Sequence, residues 1–471
     1  MTKIKYFVVT HLLQLILQLT VCFSSHGQIS RDSLHTGYLT DAAEEYWPEL
    51  NDTLHKKHFF QKIKHLSVNE ARGFISIGGT LREGYEIFDN YLWGIGTQDD
   101  NGYLLHRLLL HADLRWNRSL RFFAEIENSL AIGRNGGPRP IQDENQLALT
   151  QAFVEFSVKH LLIASLKLRL GKQALHYGVG SLLDIRDANV RLSFAGGKLI
   201  FESNQTKIDV FLMEAIKNNN GSFDDKLNHS QKIAGIWLTQ NMKKFLTKVD
   251  AYYIFIDRDG SHYNQGYGSE SRSTIGADMW FFKGKLSGYT EANFQWGHFN
   301  DKSILAWKAV QSLFYKFPNL KLNPVLSIHC AISSGDRNPG GDKLQTFSPI
   351  YPKAIYYGFV DNVGSANMIV LHEKLETSLN KKFKVTLGYY KFRRESLNDG
   401  VYYANGTLLF PKSNGGLHVA DMYDINITYA ATSNITLQLI STYAKRSEFL
   451  EQQSSSSGDI YYAGIRTNIF F

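Results

Sequence analysis

Arginine recurs at one kind of position in this 471-residue chain, the polar side of segments in which polar and apolar residues alternate. A guanidinium is always charged and presents a planar fork of N–H donors, which can hold a carboxylate through two parallel hydrogen bonds. Arginines that line one passage would therefore attract and bind a solute that carries carboxylates. The alternating segments carry Arg82, Arg107, Arg115, Arg121, Arg169, Arg394 and Arg466, and the connection from Gln173 to Phe194 carries Arg186 and Arg191.

The same arginines could instead be balanced by acids of neighbouring segments. A wide polar interior is filled by such ion pairs whatever passes through it, so this second interpretation stays open for any single residue. The acids available as partners are Asp113, Glu125, Glu127, Glu155 and Asp209.

The segments that carry the arginines have the period of a β-strand. In residues 104–117 the even positions are mostly leucine and the odd positions are mostly charged or amide residues. The final segment, 459–471, has one mostly apolar face with aromatic rings at both ends, which suits a strand that crosses a bilayer. A terminal Phe471 is typical of outer-membrane barrels, and we expect the outer-membrane assembly machinery to bind it.

The lengths of the connections also follow the layout of an outer-membrane barrel. Short connections at 117–119, 282–285, 380–382 and 432–434 alternate with long ones. The long connections are predicted at 86–102, 130–149, 215–232, 257–273, 333–366, 393–420 and 445–458. The sequence therefore predicts an all-β fold, a transmembrane antiparallel barrel of about 18 strands with short periplasmic turns and long extracellular loops. Glu83 and Lys391 fall on its predicted lipid face, so their strands are expected to project beyond the bilayer there.

The N-terminus indicates export from the cytoplasm. Lys3 and Lys5 precede a largely apolar stretch, 7–23, and small residues follow as far as Gly27. We therefore predict a signal peptide at 1–27, cleaved near Gly27/Gln28. A polar periplasmic lead-in at 28–71, with a short helix around 52–65, would precede the barrel at 72–471. Cleavage would leave Cys330 without a cysteine to pair with, and the predicted location is the outer membrane of a Gram-negative bacterium.

Other classes of protein fit the sequence less well. A propeller would show a repeat of roughly 40 to 50 residues with a blade signature, and a soluble sandwich of this length would need several domains. Neither a repeat nor a linker is present. No motif gives a nucleophile, base and orienting group, a phosphate loop or a zinc-ligand pair, so we expect neither an enzyme nor a cofactor.

Four stretches resemble the alginate export family. Residues 168–180 read LRLGKQALHYGVG, and residues 185–196 read IRDANVRLSFAG. Residues 334–352 begin SGDRNPGGDKLQTF, and residues 392–402 read FRRESLNDGVY. The matching family patterns are L-x-x-G-R-Q-x-x-x-Y-G-x-G, R-D…N-V-R-x-S-F-D-G, S-G-D-x-N-P…L-x-T-F and F-W-R-E-S-x-x-D-G-x-Y. The resemblance extends over the whole predicted barrel.

The resemblance implies an 18-stranded barrel with a constricted, electropositive pore through which an anionic polysaccharide diffuses out. It places a pore role on Arg169, Lys172, Arg186, Arg191 and Arg394. Together with the alternation, it gives the predicted pore lining, namely Arg82, Arg107, Arg115, Arg169, Lys172, Arg186, Arg191, Arg394 and Arg466. Loop 335–352 is a candidate lid, and its Asp336 and Asp342 could bind Ca²⁺, although solvated loop acids are the commoner case.

Two departures from the family patterns bear on the solute. Ala195 stands in place of an aspartate and Arg393 in place of a tryptophan, which weakens the case for alginate itself. A general or small-solute porin that prefers anions is the alternative function, since a barrel does not encode a direction of transport. The expected partners are outer-membrane lipid and an anionic polysaccharide or small anion, with no nucleic acid.

Overall fold

The computed structural model of the chain describes residues 37–47, 59–68, 73–139, 141–161, 164–243, 245–360 and 362–471. Within these ranges, the fold is one closed antiparallel barrel of 18 strands, as the alternation predicts. The predicted signal peptide and most of the predicted lead-in lie outside the described residues. The described part of the predicted helix at 52–65 contains a single helical turn, α1 (Phe59–Lys62).

Of the 22 strands that the described ranges contain and whose bounds follow, those numbered 2–14, 16, 17 and 20–22 form the barrel, and the other four are short additions. The strands are β1 (Leu66–Val68), β2 (Gly73–Asp89), β3 (Tyr103–Arg115), β4 (Leu120–Ile132), β5 (Asn145–Leu161), β6 (Ala164–Gln173), β7 (Phe194–Glu202), β8 (Thr206–Lys217), β9 (Lys226–Asn241), β10 (Leu246–Tyr263), β11 (Gly266–Lys283), β12 (Leu286–Phe299), β13 (Lys302–Lys316), β14 (Val325–Ser333), β15 (Lys343–Leu344), β16 (Met368–Ser378), β17 (Phe383–Arg394), β18 (Val401–Tyr402), β19 (Leu408–Phe410), β20 (His418–Ala430), β21 (Ile435–Arg446) and β22 (Ile460–Phe470). A second short helix is α2 (Glu448–Glu451), and 3-10 turns occupy Ala42–Glu44 and Tyr91–Gly94. None of the helices in the described ranges is long and apolar enough to cross a membrane.

The barrel closes where its first long strand meets its last. β2 pairs with β22 in a register that runs from Thr80 opposite Phe470 to Asp89 opposite Tyr461. Just below this ladder, Gly79 and Phe471 exchange two backbone hydrogen bonds of 2.8 and 3.0 Å. Closure leaves no sheet edge in the hydrocarbon layer, where an unpaired backbone amide would find no water.

Alternation along the strands separates a mixed inner face from an apolar outer face. In β13 Ile304, Lys308 and Ser312 are buried inside the barrel, whereas Leu305 and Trp307 are about two-fifths exposed on the outside. An exposed apolar face of this extent would be unfavourable in water and is the face that lipid solvates. Strand period thus decides which residues face lipid and which face the lumen.

The predicted lipid-face acid Glu83 has a polar neighbour on that face. Its carboxylate lies 2.6 Å from the His106 ring, and the Glu83 side chain remains half-exposed. Lys391 stands opposite Asp421 in the ladder, near the extracellular end of β17, and Tyr389 two residues below it donates to Asp421 at 2.8 Å.

The alternation of short turns with long loops is confirmed in outline, although two connections at the long-loop end, 264–265 and 300–301, are turns of only two residues. The predicted long loop at 257–273 is wrong, because β10 and β11 continue through it as a hairpin that turns at Asn264 and Gln265. The polar residues of this hairpin are divided between its two faces, with Asp257 and Asp259 exposed and Glu270 turned inward. Ser261 and Tyr263 both donate to Glu270, and all three side chains are buried.

Two long loops fold into the barrel instead of extending away from it. Residues 174–193, which join β6 to β7, and residues 334–367, which join β14 to β16, meet at a short parallel bridge between Leu183 and Tyr351. Leu175, Leu183 and Phe347 are completely buried, and they belong to one apolar cluster with inner-wall residues of β7–β10 and β13. The lumen is therefore partly filled by the chain's own loops.

We predict that Gly79→Ala impairs closure of the barrel. A Cβ at this position would collide with the backbone oxygen of Leu109 and lie 2.8 Å from the Phe471 ring, and such overpacking typically costs about 1–3 kcal/mol. The yield of the compact form that is converted to a slower band on heating should fall. Gly84→Ala on the same strand is the control, because its Cβ would meet nothing closer than 3.8 Å. Equal yields for the two variants would contradict this account of the seam.

Candidate functional site

Three arginines converge on one carboxylate inside the barrel. Arg82 of β2, Arg107 of β3 and Arg191 of the 174–193 loop lie 3.6, 2.5 and 3.8 Å from the carboxylate of Asp187. Arg82 and Arg107 also donate to the backbone oxygen of Ala188, at 2.5 and 2.7 Å. We call Arg82, Arg107, Arg191 and Asp187 the central cluster.

The central cluster exists because the 174–193 loop spans the lumen. At one wall Ser181 donates to Glu291 of β12 at 2.6 Å, and Tyr177 donates to Asp209 of β8 at 2.9 Å. At the other wall the side-chain amide of Asn189 donates to the backbone oxygens of His106, on β3, and Leu130, on β4, at 3.1 and 3.2 Å. The loop is therefore anchored at both sides, and Asp187 is held against the arginines of β2 and β3.

The electrostatics of the central cluster favour an ionised carboxylate. Burial by itself raises the pKa of Asp187, but Arg107, Arg82 and Arg191 outweigh burial and lower that pKa below its ordinary value. The side chain of Asp187 nevertheless remains one-third exposed, while those of the three arginines are at most 7% exposed. The arrangement can hold one carboxylate group bidentately and leaves that carboxylate accessible from the lumen.

Arg191 and Arg466 each pair with an acid of the wall, whereas Arg186 donates to backbone oxygens. Arg191 also lies 3.7 Å from Glu125, and Arg466 lies 2.9 Å from Glu86. Arg186 has a left-handed backbone with φ of 50°, and its guanidinium donates to the backbone oxygen of Ile141 at 2.7 Å. Of the predicted pore arginines, the structure thus brings Arg82, Arg107 and Arg191 together at Asp187, while Arg466 pairs with Glu86 of β2.

A second group of basic residues lies nearer the short-turn end, which is periplasmic in this architecture. Arg115 and Arg121 share Asp113, at 3.1 and 2.7 Å, and Arg169 lies 2.7 Å from Glu155. Lys172 is separate from both groups, because it pairs at 3.1 Å with Asp225 in the loop between β8 and β9.

Arg394 lies outside both groups. At the extracellular end of β17 it is fully buried and donates to the backbone oxygens of Leu397, Asp399, Gly415 and Gly416. Its guanidinium also lies over the Phe449 ring, 4.2 Å from the centroid. In this position Arg394 fixes the loop at 395–417 through the backbone. Arg393, the residue that replaces the family's tryptophan, is exposed beside it.

The candidate lid, residues 335–352, lies partly inside the barrel. Ile350 accepts a hydrogen bond from Arg258 of β10 at 2.7 Å, and Phe347 is fully buried. Asp336 is buried and accepts from the backbone N–H of Asn338, and burial raises its pKa, whereas Asp342 is exposed. Within the described ranges no group of three or more histidine, cysteine, aspartate or glutamate side chains is arranged to hold a metal ion.

Sequence reasoning missed the residue at the centre of the cluster. In the sequence, Asp187 is only one residue of the resembling stretch 185–196, and its role depends on a loop path that local periodicity does not reveal. The one available signal was its position between Arg186 and Arg191, which makes it the acid closest in sequence to two predicted pore arginines.

A family model described as "Alginate export" matches residues 74–462, which is most of the chain. The chain belongs to the alginate export family. The match covers the central cluster, the arginines near the short-turn end and all four resembling stretches, and it ends before Arg466. A search of curated proteins gives no match.

Solved structures with the same fold are outer-membrane channels of the Occ and OprD type. OccD3 (OpdP) of Pseudomonas aeruginosa has a TM-score of 0.57 at 10% identity, over 87% of this chain and 93% of that chain. OpdK of Pseudomonas aeruginosa, solved with vanillate, has a TM-score of 0.57 at 10% identity, over 84% of this chain and 98% of that chain. At such identity the likeness shows the fold alone. Family and fold together make this member of the alginate export family an outer-membrane channel for solutes.

We predict that Arg394→Gln loosens the extracellular loops and leaves ion selectivity unchanged. The substitution removes a charged donor from four backbone oxygens, and each buried bond of this kind contributes about 1.5–3 kcal/mol. Limited proteolysis of outer-membrane vesicles should cut residues 395–417 faster. Arg337→Gln is the control, because Arg337 pairs with Glu395 while its side chain is 67% exposed. A change in selectivity for Arg394→Gln would instead support the pore role predicted from the sequence.

Proposed function

We propose that this channel passes an anionic solute by diffusion along its inner arginines, and that the solute is an acidic polysaccharide of the alginate type. The observation that carries the proposal is the central cluster, in which Arg82, Arg107 and Arg191 already surround one carboxylate. Each uronate unit of such a polymer presents the same chemical group. A guanidinium binds a carboxylate in the same bidentate geometry whether that carboxylate belongs to the protein or to the solute.

In this mechanism the solute carboxylate exchanges with Asp187 as a partner of the arginines. The Asp187 side chain is accessible from the lumen, so a passing carboxylate can approach the same donors. Exchange between two carboxylates leaves no buried guanidinium without a partner, which avoids the large penalty of breaking a buried ion pair. The arginines would then provide a series of weak binding positions, which allow entry and also release.

A second candidate is a porin for small anions. The 174–193 loop crosses the lumen and reduces its free width, which suits a small carboxylate as well as a single polymer strand. The similar channel OpdK has been solved with vanillate, a compound that carries one carboxylate. The two candidates differ in the length of solute that the pore accommodates, so oligouronates of increasing length distinguish them.

We predict that Asp187→Asn strengthens block by an oligouronate and increases anion selectivity. The neutral amide frees up to three guanidiniums for the solute, whereas Arg107→Gln removes one of them and should weaken block by about 1–3 kcal/mol. The measurement is single-channel current in planar bilayers with added trigalacturonate. Block should also weaken as salt rises, because the Debye length falls from about 10 Å at 0.1 M to about 3 Å at 1 M.

Glu83→Gln is the control for this prediction. It also removes one negative charge, but from the lipid face of β2, so block should not change. A cation-selective wild-type channel that ignores trigalacturonate would reject the proposal. If trigalacturonate blocks the current and longer oligouronates do not, the small-anion porin would be favoured.

A further inference from the structure

We infer that the segment 37–47, the strap, occupies a carboxylate-binding site at the periplasmic mouth and competes there with the solute. The inference rests on the proposed function, because it assigns the same class of ligand to a second position in the channel. That position is separate from the central cluster and is formed by Arg121, Arg169, Lys198 and Lys207, here called the mouth cations.

The strap is bound to the inner wall of the barrel. Its residues Ala42 and Ala43 are buried in one apolar cluster with Phe123 of β4 and Phe153 of β5. Arg121 donates to the backbone oxygen of Ala43 at 2.7 Å, which anchors the strap near the short-turn end of β4. The apolar contact is small, so polar contacts must contribute much of the attachment.

Each acid of the strap has a different role. Asp41 accepts from the backbone N–H of Ala43 and from Gln151, at 3.0 and 2.9 Å, and so shapes the 3-10 turn. Glu45 is buried and pairs with Lys64 at 3.2 Å, within the lead-in itself. Glu44 is the one of the three that faces the mouth cations, and it lies 3.4 Å from Arg169.

The charge balance at the mouth cations includes the strap. Wall acids accompany three of these cations, with Asp113 at 2.7 Å from Arg121, Glu155 at 2.7 Å from Arg169 and Asp209 at 3.7 Å from Lys207. Glu44 therefore supplies an additional carboxylate to a basic wall. Burial would raise the pKa of Glu44, but Arg169, Lys207 and Lys198 lower it well below its ordinary value, so it is ionised.

Glu44 is positioned as an exchangeable group and not as a fixed structural pair. The Glu44 side chain is 46% exposed, whereas the Arg169 side chain is 4% exposed. A carboxylate that arrives from the periplasmic side can therefore reach Arg169 beside Glu44 or in its place. Since the strap is joined to the chain, Glu44 competes with a solute carboxylate at a high effective concentration. A solute that binds through several carboxylates at once can overcome this advantage.

The first test compares two glutamates at the same mouth. Glu44→Gln removes the competitor, whereas Glu202→Gln removes a wall carboxylate of β7 that is 44% exposed and pairs with Lys167 at 2.8 Å. Each variant removes one negative charge, so the change in net charge is the same. The measurement is block of the current in planar bilayers by trigalacturonate applied from the short-turn side. We expect its apparent affinity to rise about tenfold for Glu44→Gln, which corresponds to about 1.4 kcal/mol. For Glu202→Gln we expect a much smaller change. Equal effects would overturn the inference and leave only a general effect of charge.

The second test detects displacement of the strap directly. Ala43→Cys in a background with Cys22→Ser and Cys330→Ser places one thiol on a residue that is 2% exposed, and a membrane-impermeant methanethiosulfonate reagent should label it slowly. Trigalacturonate should accelerate labelling and maltotriose should not. Adding Glu44→Gln should accelerate labelling without any solute, because the anchor to Arg169 is lost. Heat-dependent gel mobility confirms that each variant is folded.

The two proposals can fail separately. A wild-type channel that is indifferent to trigalacturonate would reject the proposed function, and the solute-free comparison of labelling would still decide whether Glu44 holds the strap. If trigalacturonate blocks the channel but the thiol introduced by Ala43→Cys labels at one rate in every condition, the strap is a fixed part of the barrel and the inference is wrong.

Discussion

Closure of the backbone hydrogen-bond network is the constraint on which the rest of this structure depends. In a bilayer an unpaired amide or carbonyl has no water to bind, so an open sheet cannot persist there. The ladder between β2 and β22, finished by the mutual bonds of Gly79 and Phe471, removes the last open edge. Once the sheet is closed, every strand has one face toward lipid and one toward the lumen, and the alternation of the sequence assigns each side chain to one of them.

A barrel of this circumference encloses more space than its inner side chains fill, and the chain fills part of it with its own loops. The 174–193 loop is anchored by Ser181 and Asn189 to different parts of the wall, and its buried leucines form a core where a wider channel would hold water. Because this loop carries Asp187, the same anchoring that narrows the lumen also gives a carboxylate to the wall arginines. Packing and electrostatics in the lumen are thus consequences of one loop path.

The inner charges are arranged as pairs, which bears on both stability and transport. A buried ion pair adds little stability over an apolar pair of equal size, but removal of one partner is costly. Selection of anions can therefore come from exchange of the acidic partner while each guanidinium keeps a carboxylate. Asp187 at the centre and Glu44 at the mouth are two acids whose side chains stay partly exposed beside buried arginines. Under the proposed function, these two acids would make the loop and the strap part of the selectivity of the channel.

The sequence by itself determined the strands, their inner and outer faces and the closed architecture, because these follow from a period of two that each segment carries locally. It therefore placed Arg82, Arg107 and Arg466 on strands with the correct face inward. Only the tertiary structure decided what those arginines contact, because the position of Asp187 depends on where a long loop is anchored by distant residues. The extension of β10 and β11 through residues 257–273 was decided in the same way, because buried Glu270 is stabilised by Ser261 and Tyr263 across the hairpin and only the strand register brings them together.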